Sequence, residues 1–338
     1  MYSVCFFGSD LFSLASFRAV LGLHRRQPHL VNDLTLVTRR LKPSGRGQKN
    51  INIPQIVSFA QENDIKWRQV EEQEEFNDLQ NHSNLAIAVS YGRKIPSSLI
   101  SSLEYGGLNV HPSLLPQYRG ASPLQYAIMN QNEFSGVSVQ TLHPTKFDHG
   151  QILWQSSPTK LSPREDTPSL TLKLSSLGAQ GLEEVLSAGD VSKIPPLFPN
   201  WESSRAPVIP TSLHKIDFGL AASQLDARGR AISKLYFDQK VEQKKTKSGK
   251  LKGHPVLRVN LASFEEVHGV PSELANSAPT GAVIPAKSLS GHMILALKCR
   301  DGFLGASKVT VQGFKSETAA EYFINKDKRK LKEVVVNI

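Results

Sequence analysis

Asn109 and His111 stand two residues apart at the end of the short apolar run Gly107-Leu108-Asn109-Val110-His111, and a lone carboxylate follows downstream in Asp148-His149-Gly150. An amide, an imidazole and a carboxylate can act together on one carbonyl. The amide donates to a developing oxyanion, the imidazole adds a second donor, and the carboxylate orients the imidazole and helps to move a proton. If the run is a strand, side chains two apart share one face. Pro112 follows directly, disfavours helix at His111 and stops the strand there. The loop 113–120 should then cross the carboxyl edge of a sheet, where open α/β sheets bind ligands. An isolated Asn-x-His pair is more often structural than catalytic. Here a buried-type run, a Pro stop, a Pro/Gly-bounded loop and an Asp-x-Gly turn occur in order, as a site built from two neighbouring strand ends requires.

The flanking sequence supplies such strands. Residues 2–7 read as a first strand, Gly8 as a turn, and Leu11, Leu14, Phe17, Leu21 and Leu23 as the apolar stripe of a helix capped by Ser9 or Asp10. Gly8 stands alone without a GxGxxG pattern, which argues against a dinucleotide site. Residues 34–38, 65–70, 85–91, 136–142 and 151–156 read as extended, and 53–62, 123–129 and 167–186 as helical. The acidic stretch 71–78 reads as a solvated helix face. The expected fold is α/β, with a Rossmann-like, mainly parallel sheet and helices on both faces. The segment 190–210 is Pro-rich and reads as a linker. After it come one amphipathic helix and short extended runs at 256–260, 281–285, 293–298 and 308–312, the pattern of a smaller β-barrel of the OB-like kind. The expected organisation is a catalytic domain over 1–189, a linker over 190–210 and a basic C-terminal domain over 211–338.

Composition narrows the function. With 338 residues, 39% hydrophobic and 21% charged, the chain has the size of two ordinary domains. No apolar run approaches the ~20 residues of a membrane span. Cys5 and Cys299 support neither a disulfide framework nor a cysteine metal cluster, and no His, Cys and carboxylate set, His143 and His149 included, has metal-ligand spacing. The opening residues read as a strand rather than as a signal or transit peptide. The formal charge of +10 is uneven: residues 1–200 carry 18 basic and 17 acidic side chains, residues 201–338 carry 22 and 13. A neutral half joined to a basic half suits chemistry in one part and a polyanion on the other, with simple solubility as the equal alternative. Arg39, Arg40, Lys42, Arg46 and Lys49 fall in one polar loop with a proline and two glycines, which also suits a phosphate backbone. The basic stretch 240–252 is expected to be mobile or to face RNA.

His111-Pro112-Ser113-Leu114-Leu115-Pro116 with a downstream Asp-x-Gly resembles the signature of the folate-dependent formyltransferases. Tyr118-Arg119-Gly120-Ala121-Ser122-Pro123-Leu124-Gln125 is similar to the continuation found in those acting on methionyl-tRNA; the glycinamide ribonucleotide enzymes share the first motif but not the second. The resemblance implies Asn109, His111 and Asp148 as catalytic residues, 10-formyltetrahydrofolate as donor, and the α-amino group of methionine on initiator tRNA as acceptor. It implies Ser113, Leu114, Leu115 and Pro116 as the folate-side loop, with Ser113 and the loop amides holding the ligand and the leucines packing. Backbone groups at Tyr91 and Gly92 would line the pterin site, and the loop bearing Arg39, Arg40, Lys42, Arg46 and Lys49 would meet the tRNA acceptor end. Ile216-Asp217-Phe218 resembles the start of the family's C-terminal domain. A metal-free monomer in the mitochondrial matrix is expected, a bacterial cytoplasm being the alternative. The sequence departs from the family at His149, where Thr is common, and around 235–237, where an aromatic Asn-Pro-Trp-Pro stretch is missing. Two other readings remain: formyl transfer to a nucleotide sugar or glycinamide ribonucleotide, and a non-catalytic RNA-binding relative.

Overall fold

The structure, a computed structural model, describes residues 1–41, 43–44, 50–241, 244–245, 251–252, 256–270, 272–329 and 331. Two compact units are found: 1–124 with 133–162 and 168–208, and 125–132 with 163–167 and 209–338.

In the first unit, β1 (Tyr2–Gly8), β2 (Val31–Thr38), β3 (Trp67–Gln69), β4 (Leu85–Val89), β5 (Gly107–His111), β6 (Ser138–Thr141) and β7 (Ile152–Gln155) form a seven-stranded sheet ordered β7-β6-β5-β4-β1-β2-β3. Pairing is parallel from β5 to β3 and antiparallel at β6 and β7. The chain winds from β1 outward to β3 and returns to β4 on the other side of β1. That reversal creates a switch point at the carboxyl ends of β1 and β4, where ligands bind in such sheets.

Alternation along the strands sends side chains into two apolar layers. Phe6 packs edge-on against Phe17 of α1 (Leu11–Arg26), ring centres 5.2 Å apart. Its neighbours Cys5 and Phe7 face the opposite layer, with Phe76 of α3 (Gln73–Leu79, following α2 at Gln55–Glu62) and Leu99 and Ile100 of α4 (Ser97–Ser102). After α5 (Pro123–Met129), the 21-residue α6 (Thr167–Ser187) lies on the α1 side. A side chain on its Gly178 would come within 2.8 Å of Val110 and 3.4 Å of Phe12. Asp10 caps α1, its carboxylate accepting from Ser13 N at 2.9 Å.

The second unit holds α7 (Ala222–Ile232), β8 (Leu235–Lys240), β9 (Val256–Glu265), α8 (Ser272–Ser277), β10 (Val283–Lys287), β11 (Met293–Lys298), β12 (Phe303–Val311), β13 (Glu317–Thr318) and α9 (Ala319–Lys326). Its antiparallel sheet runs β8-β9-β12-β11-β10, with β13 on β12. The antiparallel sheet anticipated there is present, but among the described residues its outer strands β8 and β10 do not pair, so it is not closed into a barrel. Leu225, Leu235, Phe237, Val259, Leu295 and Val309 are among its core residues. Strand β8 was not anticipated: only Leu235 and Phe237 mark its buried face apolar, and the third inward position is Gln239, satisfied by the Tyr322 hydroxyl at 2.8 Å.

Candidate active site

Because Val110 faces α6, Asn109 and His111 point to the other side of β5, as their spacing requires. Register places Gln140 of β6 opposite Asn109 and Ser138 opposite His111, so these polar side chains share a face near the carboxyl edge. A cavity of about 540 Å³ opens there. Asn109, His111, Gly120, Gln140 and Asp148 line it on one side, and Tyr91 to Ile95, Ile100 and Leu142 on another.

His111 is 4% exposed, and both of its ring nitrogens are engaged. Nε2 lies 2.9 Å from the carbonyl of Tyr118 and must donate to it; Nδ1 lies 3.4 Å from Asp148 Oδ1. A carbonyl only accepts, so Nε2 carries a hydrogen and Nδ1 is the nitrogen that faces the carboxylate. The sequence reading gave His111 as a second donor to an oxyanion; here its two nitrogens face Tyr118 O and Asp148. Its nitrogens hold Asp148 and Tyr118, leaving Asn109 as the side-chain amide open to a ligand. Asn109 Oδ1 is buried with no hydrogen-bond partner, an arrangement that costs stability unless a ligand completes it.

Asp148 sits in the left-handed region at φ 56° and is held on every side. Its Oδ2 accepts from Gly120 N at 2.8 Å, its Oδ1 from Gln140 Nε2 at 3.2 Å, and its backbone carbonyl from Arg119 Nε at 2.7 Å. Gln140 also accepts from Gly150 N at 3.1 Å, so one buried amide fixes both ends of the Asp-x-Gly turn. Two glycines permit this closeness. A Cβ at Gly120, φ 128°, would lie 2.5 Å from the Ala206 carbonyl oxygen, and one at Gly150 would lie 1.7 Å from that of Thr141. Gln140 was not singled out from the sequence, and Arg119 was read there only as part of the motif after His111, not as a support of Asp148. The signal for Gln140 was its place on the second strand, two residues from Ser138 on the same face.

The loop after His111 is folded in on itself. Ser113, Leu114 and Leu115 are at most 3% exposed and, with Pro116, do not line the cavity. The Ser113 hydroxyl donates to Gln117 O at 2.6 Å, Leu115 N donates to Ser138 Oγ at 3.0 Å, and Ser138 Oγ donates to Ser113 O at 2.8 Å. These residues shape the loop from within, and Pro112 alone of this stretch reaches the cavity wall. Tyr91 and Gly92 do line the cavity. The Tyr91 hydroxyl is turned away, donating to Val70 O at 3.0 Å, and desolvation by burial pushes its phenol up to about 12. It therefore offers its ring and backbone, not an acid or base.

Of the basic loop, Arg39 lies beside Gly92 at the cavity wall, its guanidinium 3.4 Å from where a Cβ would stand, and Arg40 lies 3.5 Å from Glu75. Lys42, Arg46 and Lys49 lie outside the described residues, as does most of 240–252. Among the described residues no group of three or more His, Cys, Asp or Glu side chains could hold a metal ion, and no helix is long and apolar enough to cross a membrane.

Residues 3–186 match the family model described as Formyl transferase, more than half of the chain. The chain is 34% identical over 179 residues to the Saccharomyces cerevisiae protein named "Methionyl-tRNA formyltransferase, mitochondrial", covering 47% of this chain and 44% of that one. It is 34% identical over 190 residues to the Ehrlichia chaffeensis methionyl-tRNA formyltransferase, covering 54% and 60%. It thus spans about half the length of these curated relatives. Among solved structures it is similar to HypX from Aquifex aeolicus in complex with tetrahydrofolic acid, at a TM-score of 0.57 and 18% identity, covering 98% of this chain and 48% of that one.

Proposed function

The chain belongs to the formyl transferase family, and from that premise we propose that it moves the formyl group of 10-formyltetrahydrofolate to the α-amino group of methionine on initiator tRNA. The observation that carries this reading is the convergence of Asn109 and the His111–Asp148 pair, 3.4 Å apart, on one cavity. The names of the relatives support the acceptor. The cavity supports the donor: about 540 Å³ lies within the usual range for a small-molecule site. Its aliphatic wall of Ile95, Ile100 and Leu142 beside the backbone at Tyr91 and Gly92 suits a flat heterocycle with a polar edge.

Bound there, the donor supplies an activated formamide. Asn109 would donate its amide N–H to the oxygen of that formyl group as the methionyl amine adds to its carbon. Asp148, held by Gln140, Gly120 and His111, would accept a proton from the attacking amine and return it to the departing nitrogen as the old carbon–nitrogen bond breaks. His111 would keep the carboxylate oriented and offset its charge. The proton balance closes: the amine loses one hydrogen and the leaving nitrogen gains one.

Arg39, Arg40, Lys42, Arg46 and Lys49, with the basic 201–338 half, would hold the tRNA backbone. Tyr91 and Gly92 would face the pterin, while Ser113, Leu114, Leu115 and Pro116 support the loop without touching it. We place the protein in the mitochondrial matrix, following the yeast relative named mitochondrial, and read it as a monomer. The deciding assay incubates the protein with 10-formyltetrahydrofolate and, in parallel, methionyl initiator tRNA, free methionine, an amino-sugar nucleotide and glycinamide ribonucleotide. Formylation only of the tRNA ester is expected. Equal formylation of free methionine, or preference for either small amine, would overturn the reading.

A further inference from the structure

The segment 201–206 was read from the sequence as part of a linker, yet it lies along the loop that follows His111. Ser204 N donates to Pro116 O at 3.3 Å, Arg119 N to Ser204 O at 3.0 Å, Ala206 N to Arg119 O at 2.8 Å, and Ser122 N to Ala206 O at 3.0 Å. Trp201 Nε1 donates to Gln155 Oε1 at 2.8 Å, and the same Gln155 amide donates to Leu115 O at 3.0 Å. This strap runs so close that only glycine fits at position 120.

Two adjacent strap side chains each stand one residue away from one member of the His111–Asp148 pair. Ser204 Oγ accepts from Tyr118 N at 2.9 Å, and the Tyr118 carbonyl takes the Nε2 hydrogen of His111. Ser203 Oγ accepts from Arg119 Nη1 at 2.9 Å, and Arg119 Nε holds the Asp148 carbonyl. Tyr118, the middle link of one relay, and Asp148, the end of the other, both adopt the left-handed backbone region, at φ 54° and 56°. Side chains with a Cβ occupy that region at a cost, and it persists where surrounding contacts over-determine it. We propose that Ser204, seconded by Ser203, is a positioning residue for formyl transfer: the strap hydroxyls hold Tyr118 and Arg119 so that His111 and Asp148 meet in register. Ser204 is half-buried and Ser203 exposed, so the Tyr118 relay carries more of the effect.

This inference rests on the formyl-transfer reading for its kinetic arm only, and the test keeps the two apart. In the full chain, Ser204→Ala should lower kcat about tenfold, corresponding to one lost hydrogen bond, with KM for both substrates within about twofold. Ser204→Thr or Ser204→Asn, which keep an acceptor, should restore most of the rate, and Ser203→Ala should lose about two- to threefold. In parallel, the ring nitrogens of His111 are read by NMR in protein labelled with 15N-histidine, the signal being assigned by its loss in His111→Gln. They should shift in Ser204→Ala and return in whichever of the Thr or Asn variants restores the rate. The ring signal needs no substrate, so it judges the strap even if the wild-type protein fails to formylate methionyl-tRNA, a failure that would count against the formyl-transfer reading instead. An unmoved His111 signal, an unchanged kcat in a transferring enzyme, or failure of both Thr and Asn to restore the rate would each overturn the proposal.

Discussion

Two groups of buried polar side chains, one in each compact unit, are handled differently. In the antiparallel unit the group around β8, β13 and α9 is saturated internally: Tyr322 donates to Gln239, and Glu317 is paired with Arg329 and receives Asn325 at 3.1 Å, although elsewhere in that unit His268 Nε2 is buried without a hydrogen-bond partner. Arg329 also covers the face of Phe314 at 4.3 Å. In the parallel unit, Gln140, Asp148 and His111 are likewise bound to protein groups, but they surround Asn109, whose oxygen is left without a partner beside an open cavity. A closed network of this kind specifies a fold, whereas an orphan points to a ligand only where, as at Asn109 and not at Ser16, it belongs to a residue lining a cavity.

The contrast predicts opposite responses to equally local substitutions. Asn109→Ala should cost on the order of 10²- to 10³-fold in kcat, as loss of an oxyanion donor does, and leave thermal stability close to wild type, because no protein hydrogen bond to its oxygen is lost. Arg329→Met should do the reverse. It strands the Glu317 carboxylate, whose side chain is 8% exposed, and should cost about 3–5 kcal/mol by denaturant titration, with the rate per folded molecule unchanged. If the two variants behaved alike, the distinction between the units would fail. A smaller effect separates substrate holding from chemistry. Arg46→Gln with Lys49→Gln should raise KM for tRNA and reduce the slope of log affinity against log salt by about 1.4–1.8 if both meet phosphates. The saturated kcat should not change, and an unaltered slope would remove that loop from the interface.

Much of this was legible in the sequence where periodicity and punctuation carry the signal. The strand bearing Asn109 and His111, the Pro112 stop, the long helix α6 and most of the strands follow from apolar spacing. What escaped were relations fixed by pairing between distant segments. Gln140 matters because antiparallel register sets it opposite Asn109, and Arg119 because the chain returns at 148. The docking of 201–206 is invisible in a Pro-rich stretch whose backbone bonds go to the distant loop bearing Pro116, Arg119 and Ser122. At Ser113 to Pro116 the sequence anticipated the packed leucines but not the turn of the Ser113 hydroxyl into its own loop.

The central claim is that Asp148 moves the proton while the surrounding groups merely hold it. Asp148→Asn keeps an acceptor for Gly120 N and removes the ability to take a proton, which makes it the sharpest variant. Its single-turnover rate of formyl transfer, with donor and methionyl-tRNA both saturating, should fall by about 10²- to 10⁴-fold, while donor binding measured by calorimetry stays within a few-fold of wild type. A rate within a few-fold of wild type at saturation would contradict the account.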